Sequence, residues 1–97
     1  MKLYLDDVRP TPEDYQLRAY TAQEAIELLR QGTVTFISFD HDLGPVEAGT
    51  GYDVAKWIEE EVFADRMKPP AYQVHSANPV GKSNIHAAMQ SAHSYHP

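Results

Sequence analysis

Residues 34–42, VTFISFDHD, run a β-branched and aromatic segment straight into three ionisable side chains. The construction recurs: KLYL (2–5) stops on Asp6-Asp7, and AYQV (71–74) stops on His75-Ser76. Short runs of this kind suit buried strands. VTFISF reads as a central strand covered on both faces, and QLRAY (16–20) is a weaker strand candidate. Helical signals lie between them. In TAQE (21–24), Thr is followed three residues later by Glu, the pattern of a capping box at a helix start. Ala22, Ala25, Ile26 and Leu29 then recur at helical spacing, and Gly32 stands where a left-handed stop is expected.

PVEAGTG (45–51) reads as a loop, and a helix is expected over 52–64, with Val54, Ile58 and Val62 four residues apart. Trp57 and Tyr52 belong to the core rather than to a ligand on that placement. Lys68-Pro69-Pro70 breaks the chain. HSANPVGKS (75–83) reads as a second loop, with Ser83 or Asn84 capping a last helix that carries Ile85, Ala88, Met89 and Ala92, and with a frayed tail over about 93–97.

Strands alternating with helices imply an α/β domain: a mostly parallel sheet with helices on both faces. In such sheets ligands sit beyond the carboxyl ends of the strands, where strand order reverses and adjacent crossovers leave to opposite faces. Asp6-Asp7, Asp40-His41-Asp42 and His75-Ser76 are therefore expected on one rim.

At 97 residues the chain has room for one domain. Cysteine is absent, which removes thiolate chemistry and fits a reducing compartment. No apolar run approaches the roughly 20 residues of a membrane span, and MKLYLDDVRP has acids where a signal peptide would be apolar; the expected location is the cytoplasm. The net charge is −6, with all 14 acids in residues 1–65. That field disfavours tracking along a nucleic-acid duplex but is compatible with a small phosphorylated ligand held between an acidic rim and the more basic C-terminal portion.

Clustered carboxylates repel one another, so they persist with a cation among them or with one raised pKa. Oxygen ligands without thiolates favour Mg²⁺ or Mn²⁺, and Asp6, Asp7 and Asp40 are the expected ligands. The bland alternative is that Asp6 or Asp7 caps the following turn. His41 and His75 each follow a strand end, where an imidazole acts either as proton donor or acceptor or as a hydrogen-bonding plug. Of His41 and Asp42, adjacent on an extended chain, only one is expected to face the metal. His86, His93 and His96 read as surface. Arg9 is either a phosphate clamp or a fork satisfying a carboxylate. Ser76, Asn78 and Lys82, just before a helix start, suit an anion, and Asp42 completes the candidate substrate contacts. GKS does not continue a P-loop, because position 76 is Ser where that motif needs Gly.

The order LYLDD, FISFDHDLG, VHSANP resembles a response-regulator receiver domain. That resemblance implies Mg²⁺ on Asp6 and Asp7, a phosphoryl-accepting Asp40 and a phosphate-contacting Ser76. It departs from the receiver in two places. About ten residues separate the first two strands, near the lower limit for a parallel crossover, and the fifth strand, its helix and the Lys that follows it have no counterpart. YLDDVRPTP, FDHDLG, GYDVAKWIEE and VHSANPVGKSNI are closer to the phage- and bacterium-encoded cyclic-phosphate processing receiver domains. The resemblance implies a three-layer, flavodoxin- or receiver-like fold of about four parallel strands in order 2-1-3-4, and handling of a cyclic phosphate on a nucleotide, an RNA end or an ADP-ribose derivative.

The leading expectation is a metal-dependent phosphoesterase. Asp6, Asp7 and Asp40 would hold the metal, His41 or His75 would protonate the leaving oxygen, and Asp40 or a water would attack. Two other readings stand beside it: a binder that sequesters a cyclic nucleotide or ADP-ribose signal, and a degenerate phospho-accepting receiver.

Overall fold

The computed structural model describes residues 1–95. Along the chain these form β1 (Lys2–Leu5), β2 (Leu17–Ala19), α1 (Ala22–Arg30), β3 (Phe36–Phe39), a 3₁₀ turn (Val46–Ala48), α2 (Gly51–Phe63), β4 (Ala71–Val74) and α3 (Pro79–Tyr95). The four strands make one parallel sheet in the order β2-β1-β3-β4, the expected receiver-like order. Leu3 pairs with Leu17 on one side and Ile37 on the other, and Ile37 pairs with Tyr72. No helix of the described residues is long and apolar enough to cross a membrane.

All three helices lie on one face of the sheet, which corrects the expected helices on both faces and the three layers. A single apolar cluster joins Leu3, Leu5, Ile37 and Phe39 of the strands to Leu29 of α1, Ile58 of α2 and Met89 of α3. The cause is the hand of the crossovers. Parallel connections are right-handed, and β2→α1→β3 and β3→α2→β4 both step in the same direction across the sheet, so their helices fall on the same side. Only the β1→β2 connection steps the other way, and it has no helix.

Side chains on the far face, Lys2, Tyr4, Arg18, Phe36, Ser38 and Gln73, are covered by that connection and by one another. Tyr15 packs edge-on against Tyr4 at 5.2 Å, and its hydroxyl accepts from Gln73. Lys2 pairs with Asp14. Ser38 is fully buried, so β3 is indeed covered on both sides, by helices on one and by this aromatic and polar layer on the other.

Local signals explain the helix ends. Thr21 accepts from the Glu24 N–H at 3.1 Å, but the Glu24 carboxylate reaches back one residue further than a capping box would, to the Tyr20 N–H at 2.7 Å. Gly32 takes φ 80°, the left-handed stop. α2 begins one residue earlier than expected, because Thr50 and Asp53 form a complete capping box. Trp57 and Tyr52 pack, partly buried, against the core.

The last helix departs most from expectation. It starts at Pro79 rather than near residue 84, because the Asn78 side chain accepts from the Gly81 N–H at 3.0 Å and Pro suits a first helical position. It also runs on through 93–95, where a frayed tail was expected; residues 96 and 97, including His96, lie outside the described residues. His86 and His93 are partly buried rather than surface groups. His86 bonds the Tyr72 hydroxyl at 3.1 Å, and His93 bonds the Pro70 carbonyl at 2.9 Å.

Candidate functional site

Adjacent parallel strands in register bring their carboxyl ends to one edge. Beyond them stand Asp6 after β1, Asp40 after β3 and His75 after β4, tied by Asp40 N–H to the Leu5 carbonyl at 2.9 Å and His75 N–H to the Phe39 carbonyl at 2.8 Å. One side-chain atom from each of Asp6, Asp40 and His75 lies within 4.8 Å of the other two. The two carboxylates flank the gap between β1 and β3, where strand order reverses.

Asp6 is fully buried and saturated with donors. One oxygen accepts the N–H groups of Val8 and Arg9, both at 2.8 Å. The other accepts the His75 ring at 2.8 Å and the Arg9 guanidinium at 3.3 Å. Burial by itself pushes this carboxyl up, but the two backbone N–H groups and the His75 ring outweigh it and hold the group below its ordinary value. Asp6 thus caps its own turn, and a single guanidinium nitrogen of Arg9 serves both this carboxylate and, at 3.2 Å, the His75 carbonyl.

Asp40 has the opposite character. It is partly exposed, one oxygen accepts the His41 N–H at 2.8 Å, and the other has no partner among the described residues. Burial and then the Asp6 charge push its carboxyl up, against the His41 N–H, His75 and Arg9. The main chain at Asp40 is clasped by α2: a Cβ at Gly51 would lie 2.0 Å from the Asp40 carbonyl oxygen, so only glycine fits there.

His75 is held on every side. Its ring stacks on Tyr4 with centroids 4.7 Å apart, one nitrogen faces Asp6, and the other is 2.7 Å from the Ser38 hydroxyl, which accepts from Gln73 at 3.1 Å. An ionised carboxylate only accepts, so Nε2–H donates to Asp6, and in the neutral ring Nδ1 is then the acceptor of the Ser38 hydroxyl. The ring is a strut that aims Asp6.

Asp7, expected among the metal ligands, does not join the group. It turns, partly buried, toward the loop at Gly44, where an added Cβ would sit 3.2 Å from its carboxylate; consecutive side chains leaving a strand diverge. His41 also lies outside the group. Its ring rests flat on α3 at Gly81, where a Cβ would come within 2.3 Å of it, and its Nδ1 is 3.0 Å from the exposed Asp42 carboxylate. Asn78 reaches Asp42 at 3.4 Å. A second cluster, His41, Asp42 and Asn78, therefore flanks the first.

Ser76 is buried and accepts the Asn78 N–H at 3.1 Å, while Lys82 is exposed on the first turn of α3. Sequence reasoning passed over Ser38, Arg18 and Gly51, and read Gly81 only as part of the loop before the last helix. Arg18 donates to the Asp6 carbonyl at 2.7 and 3.0 Å. The available signal was Ser38, a hydroxyl inside an otherwise apolar strand.

The two carboxylates are hard donors, and the imidazole, a borderline donor engaged at both nitrogens, stands beside them as a support. The carboxylates fit Mg²⁺ or Mn²⁺ if Asp40 offers its unpartnered oxygen directly and Asp6 exchanges a donor, since Mg²⁺ takes one or two carboxylates and keeps water or phosphate in its other positions. The family model described as the cyclic-phosphate processing receiver domain matches residues 1–91. Neither the curated proteins nor the solved structures gave a match.

Proposed function

Since this chain belongs to the cyclic-phosphate processing receiver domains, the family matched over residues 1–91, we propose that it opens a cyclic phosphodiester on a nucleotide, an RNA end or an ADP-ribose derivative with the aid of Mg²⁺ or Mn²⁺. The observation that carries the reading is the meeting of Asp6, Asp40 and His75 within 4.8 Å, one carboxyl held down and the other pushed up. Carboxyls driven apart in this way divide the work of holding charge and exchanging protons. When bound, the ion supplies neutralisation of the phosphoryl oxygens and activation of the nucleophile.

Asp40 would hold the ion through its unpartnered oxygen. Asp6 is the fixed second carboxylate, aimed by His75 and Arg9. A water attacks phosphorus and releases one proton to solvent, one P–O bond to the ribose breaks, and the leaving ribose oxygen takes a proton. His41 is the better placed of the two histidines to supply it. Asp42 orients its Nδ1, and its Nε2 has no partner among the described residues, whereas both nitrogens of His75 are engaged. Ser76, Asn78 and Lys82 line the start of α3, where donors and the helix dipole favour the remaining phosphate charge. The route through Asp40 as nucleophile differs in leaving an aspartyl phosphate.

The test is incubation of the protein with Mg²⁺ and a 2′,3′-cyclic nucleotide, followed by chromatography. Ring-opened monophosphate is expected from the wild type and not from Asp40→Asn or His41→Ala. Ligand that binds and is recovered unchanged after heat denaturation overturns the catalytic reading. One observation favours that second reading, a binder that sequesters the cyclic phosphate: Asp6 already has four donors and needs no cation to be stable.

A further inference from the structure

The carboxyl ends of the strands hold the acidic rim, and a separate opening lies at the amino ends. A cavity of about 660 Å³ opens where α1 ends, the second half of α2 passes and the chain enters β3 and β4. Leu29, Val34, Trp57 and Met67 give it apolar walls, and three cations, Arg30, Arg66 and Lys68, stand around it with a single carboxylate, Glu61. Arg30 and Arg66 are each paired with a glutamate, Glu27 and Glu61, so the uncompensated charge at this opening is the Lys68 ammonium.

Arg66 spends Nε and one terminal nitrogen on Glu61, with bonds of 3.0 and 2.6 Å, and keeps its other terminal nitrogen without a partner among the described residues. Arg30 lies 5.8 Å from the centre of the Trp57 ring and also bonds Glu27 on its own helix at 3.2 Å. The Lys68 ammonium has no partner among the described residues. The volume lies within the roughly 300–1,000 Å³ of small-molecule sites, which pair apolar walls with a few convergent polar groups.

We infer that this cavity binds a small aromatic anion, its flat ring against Trp57 and its phosphate or carboxylate on Arg30, Arg66 and Lys68. An indole with a guanidinium beside it offers an aromatic surface and a charge to one ligand. Nucleoside monophosphates and simple aryl phosphates share the required chemistry. The site stands at the opposite edge of the sheet from Asp6 and Asp40, so it does not depend on what happens there.

Trp57 is the only tryptophan in the chain, and its indole N–H gives one NMR signal that reports on this cavity. The ¹⁵N-labelled protein is titrated separately with adenosine 5′-monophosphate, phenyl phosphate, phenol and inorganic phosphate. At least one of the two aromatic phosphates is expected to move the indole signal saturably, at least about tenfold more tightly than phenol or inorganic phosphate. Which of the two binds more tightly tells a nucleotide from an aryl source. The double substitution Arg30→Gln with Lys68→Gln, both on exposed side chains, weakens that binding by about tenfold or more. Asp40→Asn leaves it unchanged. The inference is overturned if neither aromatic phosphate produces a saturable shift, if the double variant binds as tightly as wild type, or if Asp40→Asn abolishes the shift.

Discussion

Replacing Asp40 by Asn should make the metal-free protein more stable, and adding Mg²⁺ should reverse the order. With the Asp6 and Asp40 ligand atoms within 4.8 Å, the repulsion between two unit charges is about 3.5 kcal/mol at an effective dielectric of about 20. Arg9, His75 and the water reaching the partly exposed Asp40 offset most of that, leaving a net cost of about 1 kcal/mol. Asn keeps the oxygen that accepts the His41 N–H and removes the charge. For a domain of this size, about 1 kcal/mol raises Tm by about 4–8 °C. Mg²⁺ at 100 times its Kd stabilises a binding-competent protein by about 2.7 kcal/mol, so wild type should overtake the variant by about 2 kcal/mol. The assay is thermal unfolding of both proteins in EDTA and across a Mg²⁺ series. A variant that melts below wild type in EDTA, or that gains as much from Mg²⁺, would refute the charge argument.

Asp6→Asn should act in the other direction and with a pH signature. The folded carboxyl is held below its ordinary value, so its stabilisation is present above the unfolded pKa of about 3.9 and is lost as pH falls through the folded one; urea unfolding should show a penalty of about 2–3 kcal/mol at pH 7 that shrinks by pH 3, and an equal penalty at both would sink the idea. Gly81→Ala, whose Cβ would meet the His41 ring at 2.3 Å, should cut turnover at least about tenfold by displacing that ring, equivalent to about 1.4 kcal/mol. Gly32→Ala, with open space but φ 80°, should instead cost about 1 kcal/mol of stability and leave kcat unaltered. Ser38→Ala removes the donor to His75 Nδ1; the expected result is a loss of about 1–2 kcal/mol by calorimetry and a loosened His75 ring by NMR, and an unchanged ring signal would contradict its role as a strut.

Much of the fold was legible because strand ends and helix caps are local. The run from FISF into Asp40, the Thr21 cap and the Gly32 stop each depend on neighbours within a few residues, and the structure realises them. The gathering of Asp6, Asp40 and His75 at one edge followed from a parallel sheet, which the alternation of elements already implied, whereas the strand order came from the resemblance to receiver domains. What stayed out of reach was set by packing between segments far apart in sequence. Gly81 reads as a flexible loop residue until the His41 ring is seen lying on it, and Ser38 reads as a strand residue until its hydroxyl meets His75.

Through alternation and local caps, then, the amino-acid order alone determined which segments form strands and helices and which polar residues end them. Only the tertiary structure decided that the helices share one face, that His75 rather than Asp7 completes the group with Asp6 and Asp40, and that Asp6 is saturated while Asp40 keeps an open oxygen. The hand of a crossover and the direction of a side chain leaving a strand depend on the assembled sheet, and no window of neighbouring residues contains them.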